Sequence, residues 1–311
     1  MLNKKIRILD FDGSITKQKQ LLKRYESDIL DLKGLGPAAR YWVNNRDRKI
    51  IEERITDSAK EAITFLGSGD FHHISEVLIN SFSQQMSLIL FDLHPEWDIY
   101  SFFLGCGSWL NSILKRKNIL KVILVGTSSE DISTFNINSG NLKSLKEGLV
   151  EIYPYTHRPS KVFLKRVPEN ISVKVERGPF SSTIYWHELV SEELGPFFKG
   201  LIGRLPSKNV YVSIDKDCLN YDSALTNWEE GGFSLGQLLL MLKLIKENLR
   251  IVGLDITGDY SNIEVSGSLK RILSYLDHPR NIKPLKMPEE SVTSINERTN
   301  LEILGLLTES E

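Results

Sequence analysis

Three segments of the chain place acidic and imidazole side chains directly behind short apolar runs. In SLILFDLHPEWD, Asp92, His94, Glu96 and Asp98 occupy alternate positions after the run. Residues at i and i+2 of an extended chain point the same way, so these ligands converge at one strand end. In VYVSIDKDCLNYD, Asp215 and Asp217 repeat the device, with Asp222 a little further along. In ITFLGSGDFHHIS, a strand ends in a glycine-bearing turn that leads through Asp70 to His72 and His73. Glycines there let the backbone come close to a metal or substrate, and one of the two histidines is expected to ligate.

Four or more carboxylates brought together repel unless cations sit between them. An oxygen-rich set with imidazole suits Mn²⁺, and Zn²⁺ and Fe²⁺ are also compatible. Water between two such ions ionises near neutral pH and becomes a nucleophile. Taken singly, each segment also reads as helix caps or solvated loop residues. Two D-x-[HD] segments, each directly behind an apolar strand and accompanied by the Gly-Asp-His run, point instead to a shared metal site.

The elements that must position these residues are short apolar runs alternating with helical patterns. Strands are expected over 6–11, 62–66, 88–91, 122–125, 210–214 and 251–256, most of them fully apolar as two-sided burial in a parallel sheet requires. Helices are expected over 74–82, 109–117, 235–248 and 266–276; Leu235, Leu238, Leu239, Leu242 and Ile245 give the three-and-four spacing of a packed face. The alternation predicts a doubly wound α/β sheet. The segment 132–205, with Tyr153, His157, Trp186 and His187 among mixed turns, reads as an insertion that shapes a pocket. After Pro284 and Pro288 a last helix is expected over 289–307, capping the fold or joining subunits into a homo-oligomer.

Bulk properties set the outer limits. At 311 residues, with 41% hydrophobic residues, the chain can bury a large core, and no linker or repeat divides it; we expect one domain over 1–311, with about 280–311 as an extension. A net charge of -1 gives no basis for nucleic-acid binding. Two cysteines, Cys106 and Cys218, are too few for a disulfide framework and fit a reducing, cytoplasmic setting. The start, MLNKKIRILDFDGS, meets Asp10 and Asp12 before its apolar stretch reaches signal-peptide length, and reads as a first strand. No window approaches 18 uncharged apolar residues, so no membrane span is expected.

GSGDFHH, FDLHPEWD and SIDKDCLNYD, in that order, resemble the G-G-D-H, D-A-H-x-D and S-x-D-x-D motifs of the ureohydrolase superfamily, the arginases and agmatinases. NWEEGGFS supplies the Gly-Gly that follows the last motif, and GLGPAARYW looks like the family's G-P-x-x-x-R segment, so the resemblance runs from about residue 30 to 260. It implies a three-layer α/β/α fold with a mostly parallel sheet, shared with deacetylases. It further implies a binuclear Mn²⁺ site and hydrolysis of a C–N bond in a small guanidino or amide compound. By the resemblance Asp92 and Asp215 bridge the ions, His72 and Glu96 complete one site, and His94 and Asp217 complete the other. His73 competes with His72, because one extra residue separates Asp70 from His72, and Asp98 competes with Glu96.

Two departures set the chain apart from arginase. FFLGCGSWLN carries Cys106 where the hydrolases place a proton-shuttling histidine, and GLDITGDY puts Gly258, then Asp259, where arginases hold the guanidinium with Glu. Together with G-S-G-D-F-H-H, H-P-[DE]-W-D, C-G-S-W and S-I-D-K-D, they resemble an uncharacterised arginase-like bacterial branch. With Asp92 and Asp215, Cys106 and Asp259 are the catalytic candidates; Trp109, Asn227, Trp228 and Glu229 are candidates for the substrate wall, being on loops behind strand ends. Three other readings compete. ILDFDGSIT resembles the D-x-D-G-[TS] motif of haloacid-dehalogenase-type phosphatases, with Asp10 and Asp12 as nucleophile and acid/base. The His72-His73 pair resembles that of a deacetylase-like amidohydrolase with one Zn²⁺, which the second carboxylate Asp217 argues against. A non-catalytic protein that binds a metal or small ligand is the third.

Overall fold

The computed structural model describes residues 5–55, 62–101, 103–165, 167, 169–277 and 285–308. Its centre is an eight-stranded sheet: β1 (Lys5–Asp10), β2 (Ser27–Asp31), β3 (Ala62–Gly67), β4 (Met86–Phe91), β5 (Ile119–Gly126), β6 (Val150–Pro154), β7 (Asn209–Asp215) and β8 (Arg250–Thr257). They lie side by side in the order β2-β1-β3-β8-β7-β4-β5-β6, and every neighbouring pair is parallel. β3 and β4, AITFLG and MSLILF, are buried at all six positions, as strands covered on both faces must be.

Two apolar layers cover the sheet, one on each face. Ile74–Asn80 belongs to the first layer; Leu194–Gly203, Leu235–Asn248 and Glu289–Thr308 form much of the second and pack on one another. Helix Leu235–Asn248 starts where expected because Ser234 and Gln237 form a reciprocal capping box. Successive strands β3 and β4 are separated in the sheet by β8 and β7, which the chain inserts last. The carboxyl ends of these four central strands therefore surround a switch point, where α/β sheets open a crevice.

Several sequence expectations change. β2 was not expected because SDILD is half polar, a composition that its position at the sheet edge allows. β6 was missed because Glu151 interrupts it; Lys121 and Arg204, each 2.6 Å from that carboxylate, neutralise it. The segment 132–205 is thus more than an insertion. It contributes β6, a three-stranded antiparallel sheet (Ser160–Phe163, Val173–Arg177, Ser181–Trp186) and helix Leu194–Gly203. The helix expected over 109–117 is a single turn, Leu110–Ile113. The terminal helix, Glu289–Thr308, packs on Leu235–Asn248, while Pro284 lies outside the described residues. Among the described residues no helix is long and apolar enough to cross a membrane.

Candidate metal centre

Each ligand-bearing segment turns sharply at the end of a central strand. After β3, Gly67 adopts φ +87°, and Ser68 accepts a hydrogen bond from the Asp70 amide to start the short turn Gly69–Phe71, which delivers His72. After β4, the Asp92 carboxylate accepts from the His94 amide at 2.7 Å. After β7, Asp215 does the same for the Asp217 amide at 3.1 Å. The alternate-position rule thus gives way at the strand ends to small carboxylate-capped turns, which fold consecutive ligands toward one another.

The resulting cluster is tight. His72 Nδ1 lies 3.0 Å from Asp92 Oδ2 and 3.4 Å from Asp215 Oδ2. His94 Nδ1 lies 2.9 Å from Asp217 Oδ2 and 3.8 Å from Asp92 Oδ1. Two groups of three have ligand atoms all within 4.8 Å of one another: His72, Asp92 and Glu96, and Asp92, His94 and Asp217. Asp92 belongs to both. His72 Nδ1 and Asp92 Oδ2 are buried and make no well-directed hydrogen bond despite their closeness, the condition of ligand atoms aimed at a common point rather than at each other. The donor set, carboxylates with imidazole, fits hard divalent ions such as Mn²⁺. Asp215 fits close to both glycine turns: a Cβ on Gly69 would lie 2.8 Å from its Oδ2, and one on Gly258 only 2.4 Å from its Oδ1.

Without cations these charges perturb one another strongly. Burial alone lowers the His72 pKa, yet Asp92, Asp215 and Glu96 carry it up to about 10. Burial and the nearby Asp92 charge raise Glu96 to about 8 and contribute to raising Asp217 to about 6, and burial with Asp217 and Asp92 lifts Asp215 well above the carboxylate range. Burial opposes the charged form of Asp92 too, but the His72 and His94 imidazoles beside it hold it below its usual value. Protons on these groups must leave when a cation enters. Metal uptake is therefore expected to release protons and to tighten as pH rises from about 6 to about 8, checked by calorimetric titration in two buffers of different ionisation enthalpy.

The other sequence candidates separate into those on the cleft and those off it. A cleft of about 950 Å³ opens over Asp215 and Asp217 and is lined also by His94, Glu96, Asp98, Cys106, Trp228 and Glu229. Glu229 Oε2 is 3.6 Å from His94 Nε2. The Trp228 indole stands edge-on to His94, with ring centres 5.5 Å apart, and donates from Nε1 to Asp70, which Arg40 holds in a buried ion pair. Asp98 accepts from the Tyr100 amide and lies outside both ligand groups, whereas Glu96, at φ +55°, turns inward and accepts from Gly107 N at 2.5 Å. His73 belongs to neither ligand group: both ring nitrogens are buried without a hydrogen bond, and burial with the Lys270 and His72 charges lowers it to about 3. Burial raises the Cys106 thiol well above its ordinary value, so it stays protonated.

Trp109, Asn227 and Asp259 do not reach the cleft. Trp109 is fully buried, its ring 5.2 Å from that of His72, where it packs behind the imidazole. Asn227 accepts from Ser68 Oγ and the Ser261 amide and donates to the Ser261 carbonyl, bracing the turn that precedes His72. Asp259 turns into the protein, to Lys216 at 2.8 Å and Gln18 at 2.7 Å. Asp10 is likewise engaged, with Lys33 at 2.8 Å and the Gly13 amide at 2.9 Å, and Asp12 caps Ser14 and the Ser68 amide; neither lines the cleft.

Behind His72 lies a chain that the motif reading passed over. His72 Nε2 meets Ser213 Oγ at 2.9 Å, and Ser213 donates to Asp255 at 2.6 Å. Burial lifts the Asp255 carboxyl above its ordinary value, and His72 and the hydroxyl groups around it draw it partly back. The available signal was a lone carboxylate inside the apolar strand IVGLDIT, which demands partners when buried.

No family model matches the chain. An uncharacterized protein of Thermotoga maritima is 29% identical over 264 residues, covering 85% of this chain and 83% of that protein. Among solved structures, arginase from Bacillus caldovelox superposes with a TM-score of 0.57 at 13% identity, covering 98% of each chain. Formiminoglutamase of Trypanosoma cruzi, solved with Mn²⁺, gives 0.57 at 10% identity, covering 98% of this chain and 94% of that one. Proclavaminate amidino hydrolase from Streptomyces clavuligerus gives 0.55 at 12% identity, covering 97% and 90%. With its parallel eight-stranded sheet between helical layers, the chain has an arginase-like α/β fold.

Proposed function

We propose that the protein is a metal-dependent hydrolase that holds two divalent cations, Mn²⁺ foremost, and cleaves a C–N bond in a small guanidino or amide compound other than arginine. The observation that carries this reading is Asp92, shared by two groups of candidate ligands whose members His94, Glu96 and Asp217 line a large cleft. His72, Asp92 and Glu96 would hold one ion, and Asp92, His94 and Asp217 the other, with Asp215 beside both. When bound, two such ions supply a nucleophile at neutral pH and stabilise developing negative charge.

The chain's own residues supply position and proton handling. Trp228, fixed by Asp70, gives the cleft a rigid wall beside His94. Glu229, 56% exposed and 3.6 Å from His94 Nε2, is the carboxylate best placed to pass protons between cleft and solvent. A protonated Cys106 leaves the shuttle role to that pair. Arginine is disfavoured because no side chain fits at residue 258: a Cβ there would come within 2.6 Å of the Lys216 amide, and Gly258 has φ +90°. The two free cysteines suit a reducing compartment.

Metal analysis combined with a screen of guanidino and amide compounds tests this reading. Two equivalents of Mn²⁺ and release of urea, ammonia or a free amine from at least one compound are expected. Bound Mn²⁺ with no hydrolysis of any compound would leave a non-catalytic metal protein. Hydrolysis of p-nitrophenyl phosphate that is lost on Asp10→Asn would point to a phosphatase instead.

A further inference from the structure

We infer that Asp255, acting through Ser213, fixes the His72 ring in the state that a metal requires, and thereby sets the affinity for the ion held by His72, Asp92 and Glu96. This rests on the metal reading above. Ser213 and Asp255 are direct neighbours in the register of β7 and β8. On β7, Tyr211, Ser213 and Asp215 occupy alternate positions and so share one face, which carries two positioning groups and then a candidate ligand.

The direction of the hydrogen bonds decides the argument. Asp255 is fully buried and takes three hydroxyl donors: Ser213 Oγ at 2.6 Å and Ser75 Oγ at 3.0 Å on Oδ1, and Tyr211 OH at 2.6 Å on Oδ2. An ionised carboxylate only accepts, so the hydroxyl hydrogen of Ser213 is committed to Asp255. Ser213 Oγ then offers His72 Nε2, 2.9 Å away, a lone pair, and Nε2 carries the hydrogen. A neutral imidazole protonated at Nε2 presents its lone pair at Nδ1. Nδ1 is the buried atom that faces Asp92 Oδ2 and Asp215 Oδ2 without a well-directed hydrogen bond. A carboxylate behind a ligating histidine commonly sets ring orientation and basicity; here a serine is interposed. Ser75 stands three residues beyond His72 and ties the same carboxylate to the helix that His72 introduces.

Asp255→Asn preserves shape but turns an amide N–H toward Ser213, whose hydrogen is then free to point at His72 Nε2 and shift the ring hydrogen to Nδ1. Full-length protein labelled with ¹⁵N-histidine and loaded with Zn²⁺, a diamagnetic stand-in for Mn²⁺, should show a protected His72 Nε2–H signal that both Asp255→Asn and Ser213→Ala remove. In Mn²⁺ titrations both variants should weaken one equivalent by roughly 10- to 100-fold and leave the other within about threefold. Ser213→Thr, which retains the hydroxyl, should keep the first equivalent within about threefold of the wild type. The inference is overturned if Asp255→Asn and Ser213→Ala bind two equivalents as the wild type does, or if they weaken both equally. Wild-type protein that takes up no metal would sink the metal reading instead. Should Asp255→Asn fail to fold, Ser213→Ala, which deletes one atom, carries the test.

Discussion

Asp92→Ala is expected to strip the protein of both cations, lowering Mn²⁺ from two equivalents to none in elemental analysis after gel filtration. Asp92 is the one residue common to both ligand groups, and its two oxygens face different histidines, Oδ2 toward His72 and Oδ1 toward His94. Losing a group behind a ligand costs roughly 10- to 100-fold in affinity, so losing a shared ligand should cost more than about 100-fold for each ion. The truncation also leaves His72 and His94, whose charges Asp92 supports, in a buried site with one anion fewer. Asp215→Ala should likewise abolish uptake, whereas Asp10→Ala should keep two equivalents, since Asp10 serves Lys33 and the turn at Gly13 and does not line the cleft. Retention of metal by Asp92→Ala with loss in Asp10→Ala would refute the assignment.

Lys216→Met is expected to destabilise the fold by about 3–5 kcal/mol, read from urea unfolding curves of the metal-free protein. Lys216 and Asp259 are 0% and 1% exposed and 2.8 Å apart. Burial pushes the Lys216 ammonium below its ordinary pKa, and the Asp259 charge is what holds it up. Methionine fills a similar volume but leaves the carboxylate without its cation, with Gln18 at 2.7 Å and Asn300 at 3.2 Å as its side-chain partners among the described residues. The pair joins the turn between Asp215 and Asp217 to Asn300 of the terminal helix, through Lys216 Nζ at 3.0 Å from Asn300 Oδ1. Lys216→Met combined with Asp259→Leu, which removes both charges, should recover most of the loss, because a buried pair contributes little beyond its isosteric apolar replacement. A loss below about 1 kcal/mol in the single variant would show that solvent reaches Asp259.

Much of the candidate site was legible in the chain because its candidate ligands follow apolar strands whose two-sided burial writes itself as uninterrupted Val, Ile, Leu and Phe. β3, β4, β7 and β8 all lie within two residues of the expected bounds, and helix Leu235–Asn248 lies where its apolar spacing places it. Elements whose sequence is compromised by position were not: β2 at the edge, and β6 around the neutralised Glu151.

Sequence by itself determined the fold class, the chain order of the three ligand-bearing segments and the chemistry of their side chains, since each depends on residue type and local period alone. Tertiary structure decided which of two neighbours stands in each cluster. His72 rather than His73, and Glu96 rather than Asp98, join the clusters, because the turn after each strand, down to the φ of +55° at Glu96, sets which side chain faces inward. It also removed Asp259, Asn227 and Trp109 from the cleft and revealed Asp255 behind His72. Partners 40 to 180 residues apart, such as Ser75 and Asp255 or Tyr211 and Asp255, meet only when strands from distant parts of the chain lie side by side, and no local pattern encodes that meeting.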